Sequence, residues 1–217
     1  MTLDELTSFV QLIIQDSSFD AYIPSYLNQA QLEVAGGMKS TLGSWITPPL
    51  AGLLTIDTLT TVDDTAYIEL PSNYHRRVQF VSNSNNVEIE IAKDFITFSE
   101  TYPGLSRSGK ITSVIDQGNL LYYQAIPSTP EVLTVQYYRK PTDMNLTTDE
   151  PDGIPIHLQK SLLVNHACWK IFELIEDGLE GPGVNTQRYM ELFYQALELL
   201  ELTVPYLSRS FNTLKDN

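Results

Sequence analysis

The chain has 217 residues, 42% of them apolar, and a formal net charge of −14 from 13 basic and 27 acidic side chains. That length buries a real core in one or two domains, and twelve tyrosines with eight phenylalanines exclude a disordered chain. So acidic a chain is poorly suited to gripping nucleic-acid phosphates, no run approaches eighteen apolar residues, and the single Cys168 excludes an intrachain disulfide or a cysteine-rich zinc site.

From Leu3 to about Ile14, Leu6, Phe9, Val10 and Ile13 recur at helical spacing. Asp4 and Glu5 stand where a secretory signal carries positive charge, so a cytoplasmic start is expected. A second helix is predicted from Pro24 to Ala35, with Pro24 in its first turn and Gly36–Gly37 at its end. Pro48 and Pro49 mark a non-helical connection.

Between about Thr55 and Lys140 the pattern alternates. "VEIEI" sets Val87, Ile89 and Ile91 against Glu88 and Glu90, while "AYIEL" (66–70) and "VLTVQYY" (132–138) also read as strands. "ITSVIDQGNLLYY" predicts a hairpin turning at Gln117–Gly118. Six or seven such strands predict a small antiparallel sandwich or barrel.

Helical spacing returns at residues 155–177, with Leu163, Ala167, Ile171 and Ile175 on one face, Leu162 and Cys168 beside them, and Gly178 as the C-terminal cap. After "GLEGPG", Asn185 reads as the N-cap of a helix that turns Tyr189, Leu192, Phe193, Ala196, Leu199 and Leu200 inward and ends at Pro205. The short loop makes these two helices antiparallel neighbours. Each helix has one apolar stripe and needs a partner. The expected fold is therefore α+β: a discontinuous helical bundle from the N- and C-terminal helices (1–50 and 141–205) and an inserted antiparallel β-rich domain (51–140), followed by an extended arm (206–217).

Chemical motifs are few. "GLSRSGKI" (104–111) has the glycine–four–glycine–lysine skeleton of a phosphate-binding loop, but Ile111 replaces the magnesium-binding hydroxyl and a strand pattern follows where a helix is required. Arg107 and Lys110 then read either as part of a solvated, mobile loop tip or as a contact for a partner protein or passing nucleic acid. His157 and His166 lie nine residues apart on opposite helix faces, which opposes a shared metal. His75 sits in a basic cluster with Arg76 and Arg77. No nucleophile elbow is present, and the pairs Asp63–Asp64 and Asp149–Glu150 fall in turns. The expectation is a non-enzymatic interaction protein with no cofactor.

Charge is uneven. Residues 1–35 carry a net −5, residues 36–140 a net −2 and residues 141–217 a net −7. Glu173, Glu176, Glu191 and Glu198 are the acidic candidates for an interface or a lumen. The alternative is that this charge only keeps the protein soluble. Tyr206, Leu207, Phe211 and Leu214 crowd the last twelve residues. They predict an arm that docks on a partner, against a frayed terminus as the other reading.

Five segments stand in a telling order: "LTSFVQLII" (6–14), "YIPSYLNQAQLEVAGG" (22–37), "IELPSNYHRRVQFV" (68–81), "LLYYQAIPSTPEVLTVQYYRKPTDM" (120–144) and the run from "EPDGIP" at 150 to "YQAL" at 197. Together they resemble the head-to-tail adaptor (connector or neck) proteins of tailed bacteriophages, over most of the chain to near Pro205. The resemblance implies a structural protein of the virion neck, assembled in the host cytoplasm. It implies a ring, commonly of twelve subunits, between the portal protein and the tail or nozzle proteins. Through that ring double-stranded DNA passes without specific binding; no membrane partner is implied. A receptor- or carbohydrate-binding tail module, using surface tyrosines of the β region, is the alternative.

Overall fold

The computed structural model describes residues 1–38, 47–177 and 183–203. The protein is α+β and divides into two compact units, Met1–Leu53 with Pro141–Asn217, and Leu54–Lys140.

The first unit is helical. Helix α1 (Leu3–Ile14) opens on a reciprocal cap: the Glu5 amide donates to Thr2 Oγ1 (3.3 Å) and the Thr2 amide donates to Glu5 Oε2 (3.0 Å). Its Leu3, Leu6, Val10 and Ile14 are buried, whereas Phe9 and Ile13 flank the core. Helix α2 (Ile23–Ala35) carries Pro24 in its first turn and buries Leu27, Ala30, Gln31 and Val34. Gly37 follows at φ +72, and a Cβ there would stand 2.7 Å from the Thr47 carbonyl oxygen, so only glycine fits.

Residues 155–177 form one rod with an interruption: α4 (Ile156–Gln159), a π turn (Lys160–Val164) and α5 (Asn165–Ile175). Leu162, Leu163 and Val164 in the wide turn are all buried, as are His166, Ala167 and Cys168 in α5. Helix α6 (Val184–Thr203) follows. Ring contacts fix its direction against α5: Phe172 stacks on Tyr189, Trp169 lies against Phe193 and Tyr194, and His166 meets Phe193, so the two helices are antiparallel.

Three helical expectations fail at element ends. Ile175 and Leu199 are exposed, because each lies just off the stripe that faces the core. Asn185 lies inside α6 and does not cap it; the Glu176 carboxylate does so instead, accepting from the Asn185 and Thr186 amides at 3.1 and 2.9 Å. The expected cap at Gly178, the stop at Pro205 and the arm at 206–217 lie outside the described residues.

The second unit is a two-sheet β structure. Sheet one orders β1 (Leu54–Thr60), β7 (Val132–Arg139) and β3 (Tyr74–Asn83) as β1-β7-β3. Sheet two orders β2 (Tyr67–Glu69), β6 (Leu120–Tyr123), β5 (Ser113–Gln117) and β4 (Glu90–Ile91) as β2-β6-β5-β4. Leu133, Val135 and Tyr137 from the first sheet share a core with Ile68, Val114, Leu121 and Tyr123 from the second.

The β expectations need three corrections. The β5–β6 turn is Gly118–Asn119, since Gln117 pairs with Leu120; Gly118, at φ +63, takes the first central position. In "VEIEI" only Ile89 is buried and Val87 is exposed. Strand β4 runs parallel to β5, so the sheet is mixed; the required crossover contains α3 (Phe95–Thr101), whose N-cap Asp94 accepts from the Thr97 amide at 2.7 Å.

Phe193 is fully buried and touches the rings of His166, Trp169 and Tyr194. Phe193→Ala is expected to destabilise the protein by about 3–5 kcal/mol, measured by urea denaturation followed through tryptophan fluorescence.

Candidate functional site

The loop carrying Arg107 and Lys110 is fastened where a mobile tip was expected. The Gly109 amide donates to the Ile126 carbonyl (2.9 Å) and the Ile126 amide to the Arg107 carbonyl (2.8 Å). Beneath it, the buried Gln124 amide accepts from the Thr112 and Ser113 amides through Oε1. Its Nε2 donates to the Lys110 carbonyl (2.9 Å) and Thr112 Oγ1 (2.8 Å). All four hydrogen bonds available to that amide are thus made, and they fix the backbone. Arg107 and Lys110 remain exposed on this anchored loop. Strand β5 follows, with no helix N-terminus to meet a phosphate.

The acidic candidates separate by what they touch. Glu176 is committed to α6: besides the two amides, its oxygens accept from Asn185 Nδ2 (3.0 Å) and Thr186 Oγ1 (2.7 Å). These hydrogen bonds, the Thr186 hydroxyl first, hold its carboxyl below the usual range. Glu173 pairs with Lys170 at 3.1 Å, Glu191 accepts from Gln187 at 2.9 Å, and Glu198 is exposed. Glu191 and Glu198 stand two turns apart on one face of α6.

The groups that suggest chemistry in the sequence are structural here. Cys168 is buried, which pushes its thiol up to about 12. His157 is exposed and His166 fully buried. His75 is half-buried; burial, then Arg76 and Lys140, hold it below the ordinary histidine value. The Asp149 carboxylate caps a turn by accepting from the Asn145 and Leu146 amides, both at 2.8 Å. Among the described residues, no group of three or more His, Cys, Asp or Glu is placed to hold a metal, and no helix is long and apolar enough to cross a membrane.

Tyrosines of the β unit are mostly core. Tyr74, Tyr123, Tyr137 and Tyr138 are buried, and Tyr137 donates from its hydroxyl, with Asp57 Oδ2 at 3.0 Å and Asn73 Oδ1 at 2.7 Å. Only Tyr67, against Tyr122, is well exposed among the sheet tyrosines. The array of surface rings that a carbohydrate-binding face needs is absent from the described residues.

What the geometry offers is therefore surface. A firm helical unit displays carboxylates, and a β unit displays an anchored cationic loop. The model of the SU10 adaptor protein family matches residues 1–211. The chain belongs to the SU10 adaptor protein family. These are phage head-to-tail adaptors, a structural family and not an enzyme family. The protein is thus a phage adaptor, with the virion as its place and portal and tail proteins as its partners. The resemblance seen in the five sequence segments is that of the family, and the match extends past Pro205 to residue 211. No curated protein sequence matches the chain.

One contact was not legible in the sequence. His166 Nε2 stands 2.8 Å from Glu33 Oε2, joining α5 to α2, while Nδ1 is buried with no partner among the described residues. The hydrogen bond to His166, before all other causes, holds the Glu33 carboxyl below its ordinary value against the opposing effect of burial. A carboxyl depressed in the folded state stabilises the fold above its unfolded value and loses that contribution as pH falls through the folded value. Glu33→Gln is therefore expected to be less stable than wild type at pH 7, with the gap closing below about pH 4.5. Urea midpoints measured across pH 3–7 check this.

Proposed function

We propose that this adaptor forms a ring, of twelve subunits, between the portal and the tail or nozzle proteins in the virion neck, and that it joins them after synthesis in the host cytoplasm. The helices from both chain ends make one discontinuous bundle in this reading, and the β unit is an insertion in it. Double-stranded DNA passes through the ring without being held. The observation that carries the proposal is the family match over residues 1–211.

The charge distribution supports it. The helical unit holds 17 acidic and 6 basic side chains, the β unit 10 and 7. A wall of carboxylates denies the DNA backbone lasting contacts at physiological salt. Glu173, Glu191 and Glu198 are the members of the acidic set open to this role. Glu176 serves α6 and is left out. Arg107 and Lys110 present a rigid cationic contact to a partner protein, and the arm at 206–217 anchors the subunit through Tyr206, Leu207, Phe211 and Leu214.

Size-exclusion chromatography with light scattering, with and without the cognate portal, tests the reading. A large stoichiometric complex on the portal is expected, and its absence at every salt concentration sinks the proposal. Deleting residues 206–217 is expected to leave a folded protein that no longer joins the portal. In assembled particles, Glu173→Gln with Glu191→Gln and Glu198→Gln is expected to slow DNA ejection several-fold; unchanged kinetics would remove these residues from the lumen.

A further inference from the structure

Sheet edges expose unpaired backbone groups, and folded proteins blunt them by shortness, bulges, proline or lysine. Three of the four edges here are blunted. Strands β2 and β4 have three and two residues. Strand β3 has three register shifts, and its far end is covered by the Ser82–Glu88 bridge and the Ile89 amide bound to the Val81 carbonyl. Strand β1 is different. Its seven residues pair with β7 without a shift, and it contains neither proline nor lysine.

The outward groups of β1 can be named. The Thr61 amide donates to the Glu131 carbonyl at 2.9 Å, in line with the β1–β7 register. Thr55, Asp57 and Leu59 therefore direct their backbone groups at β7, while Ile56, Thr58 and Thr60 direct theirs away from the sheet. Among the described residues nothing bonds to those outward groups. The outer face beside them carries two exposed apolar side chains among threonines: Ile56, 61% exposed, and Val132 opposite Thr60, 42% exposed. The only charge on the strand, Asp57, takes the Tyr137 hydroxyl on the inner face.

We propose that the β1 edge receives the C-terminal segment, residues 206–217, of a second copy as an added strand. This rests on the ring and arm of the proposed function and names where the arm docks. Fourteen residues follow Thr203, about 45 Å when extended, against about 23 Å for a seven-residue strand. As a strand the segment would set Leu207, Arg209, Phe211 and Thr213 on one side, and Tyr206, Ser208, Ser210, Asn212 and Leu214 on the other. Main-chain pairing supplies affinity, and Phe211 against Ile56 supplies register. Charge agrees. Residues 54–75 hold four acids and no base, whereas the segment carries Arg209 and Lys215 against Asp216. An arm that reaches the next copy's edge is a head-to-tail contact, the kind that builds a ring when the rotation between copies closes.

The test uses full-length protein assembled on portal rings. Thr58→Cys and Thr213→Cys, which fall on the face shared by Ile56 and Phe211, are made in separate chains, mixed and treated with a short bismaleimide; the buried Cys168 is too weakly acidic to compete. A mixed cross-linked dimer is expected. Adding Thr60→Pro to the Thr58→Cys chain removes an outward amide but none of the β7 ladder, and is expected to cut the yield about tenfold. Phe211→Ser in the other chain is expected to reduce it similarly, with no part of the described fold altered. Absence of the mixed dimer overturns the inference. So does a chain bearing both cysteines that, diluted into wild type, links only to itself. If the dimer is absent but deletion of 206–217 still abolishes portal joining, the arm survives and only its seat on β1 is lost. If deletion is also without effect, both readings fall.

Discussion

Two amide side chains on α2 hold the helical unit closed. Asn28 donates to the Met144 carbonyl and accepts from its amide, at 3.0 and 2.8 Å. Gln31, fully buried, donates to the Thr142 carbonyl and accepts from the Asp152 amide, at 2.8 and 2.7 Å. Each amide satisfies a donor and an acceptor on a segment more than a hundred residues away in the chain. That segment has little regular structure, so its buried backbone groups must find side-chain partners. Once it is held, the Leu3 and Asp4 amides at the head of α1 bond the Asp149 and Thr147 carbonyls, and Met144 and Ile154 enter the same core as Leu6, Leu27 and Phe193.

The β unit relies on the same device at a different place. Gln124 fastens the Arg107–Lys110 loop, and Tyr137 binds Asp57 and Asn73 from the core. Fully satisfied buried polar groups fix one geometry, because any other leaves a desolvated donor or acceptor. For a protein that acts through contacts alone, rigid display of surface groups is the useful property. The histidines and the cysteine are scattered: His166 and Cys168 lie within packed α5, His157 is exposed on α4, and His75 is half-buried in β3.

Much of this was readable in advance. Helix α1 and the body of α2 follow from apolar spacing, and β7 from alternation. The failures have separate causes. Leu199 and Val87 carry apolar side chains that the pattern turns inward, but the core is too narrow to take them. Asn185 has the chemistry of an N-cap, yet Glu176, nine residues earlier, reaches the same amides from the end of the preceding turn. Short α3 and two-residue β4 have too few residues to show a period. Candidate surface residues were legible as types only: nothing in the sequence separates Glu176, locked on a helix end, from Glu198, open to solvent.

The sequence by itself determined the class of the molecule, its acidic character, the position of most elements and the family resemblance, because periodicity, composition and motif order are local properties of the chain. Only the tertiary structure decided which polar side chains are spent holding the fold, which strand edge is left open and which charges are free to meet a partner. Those outcomes depend on residues far apart in sequence competing for the same buried hydrogen bonds, and such a competition has no signature along a single chain.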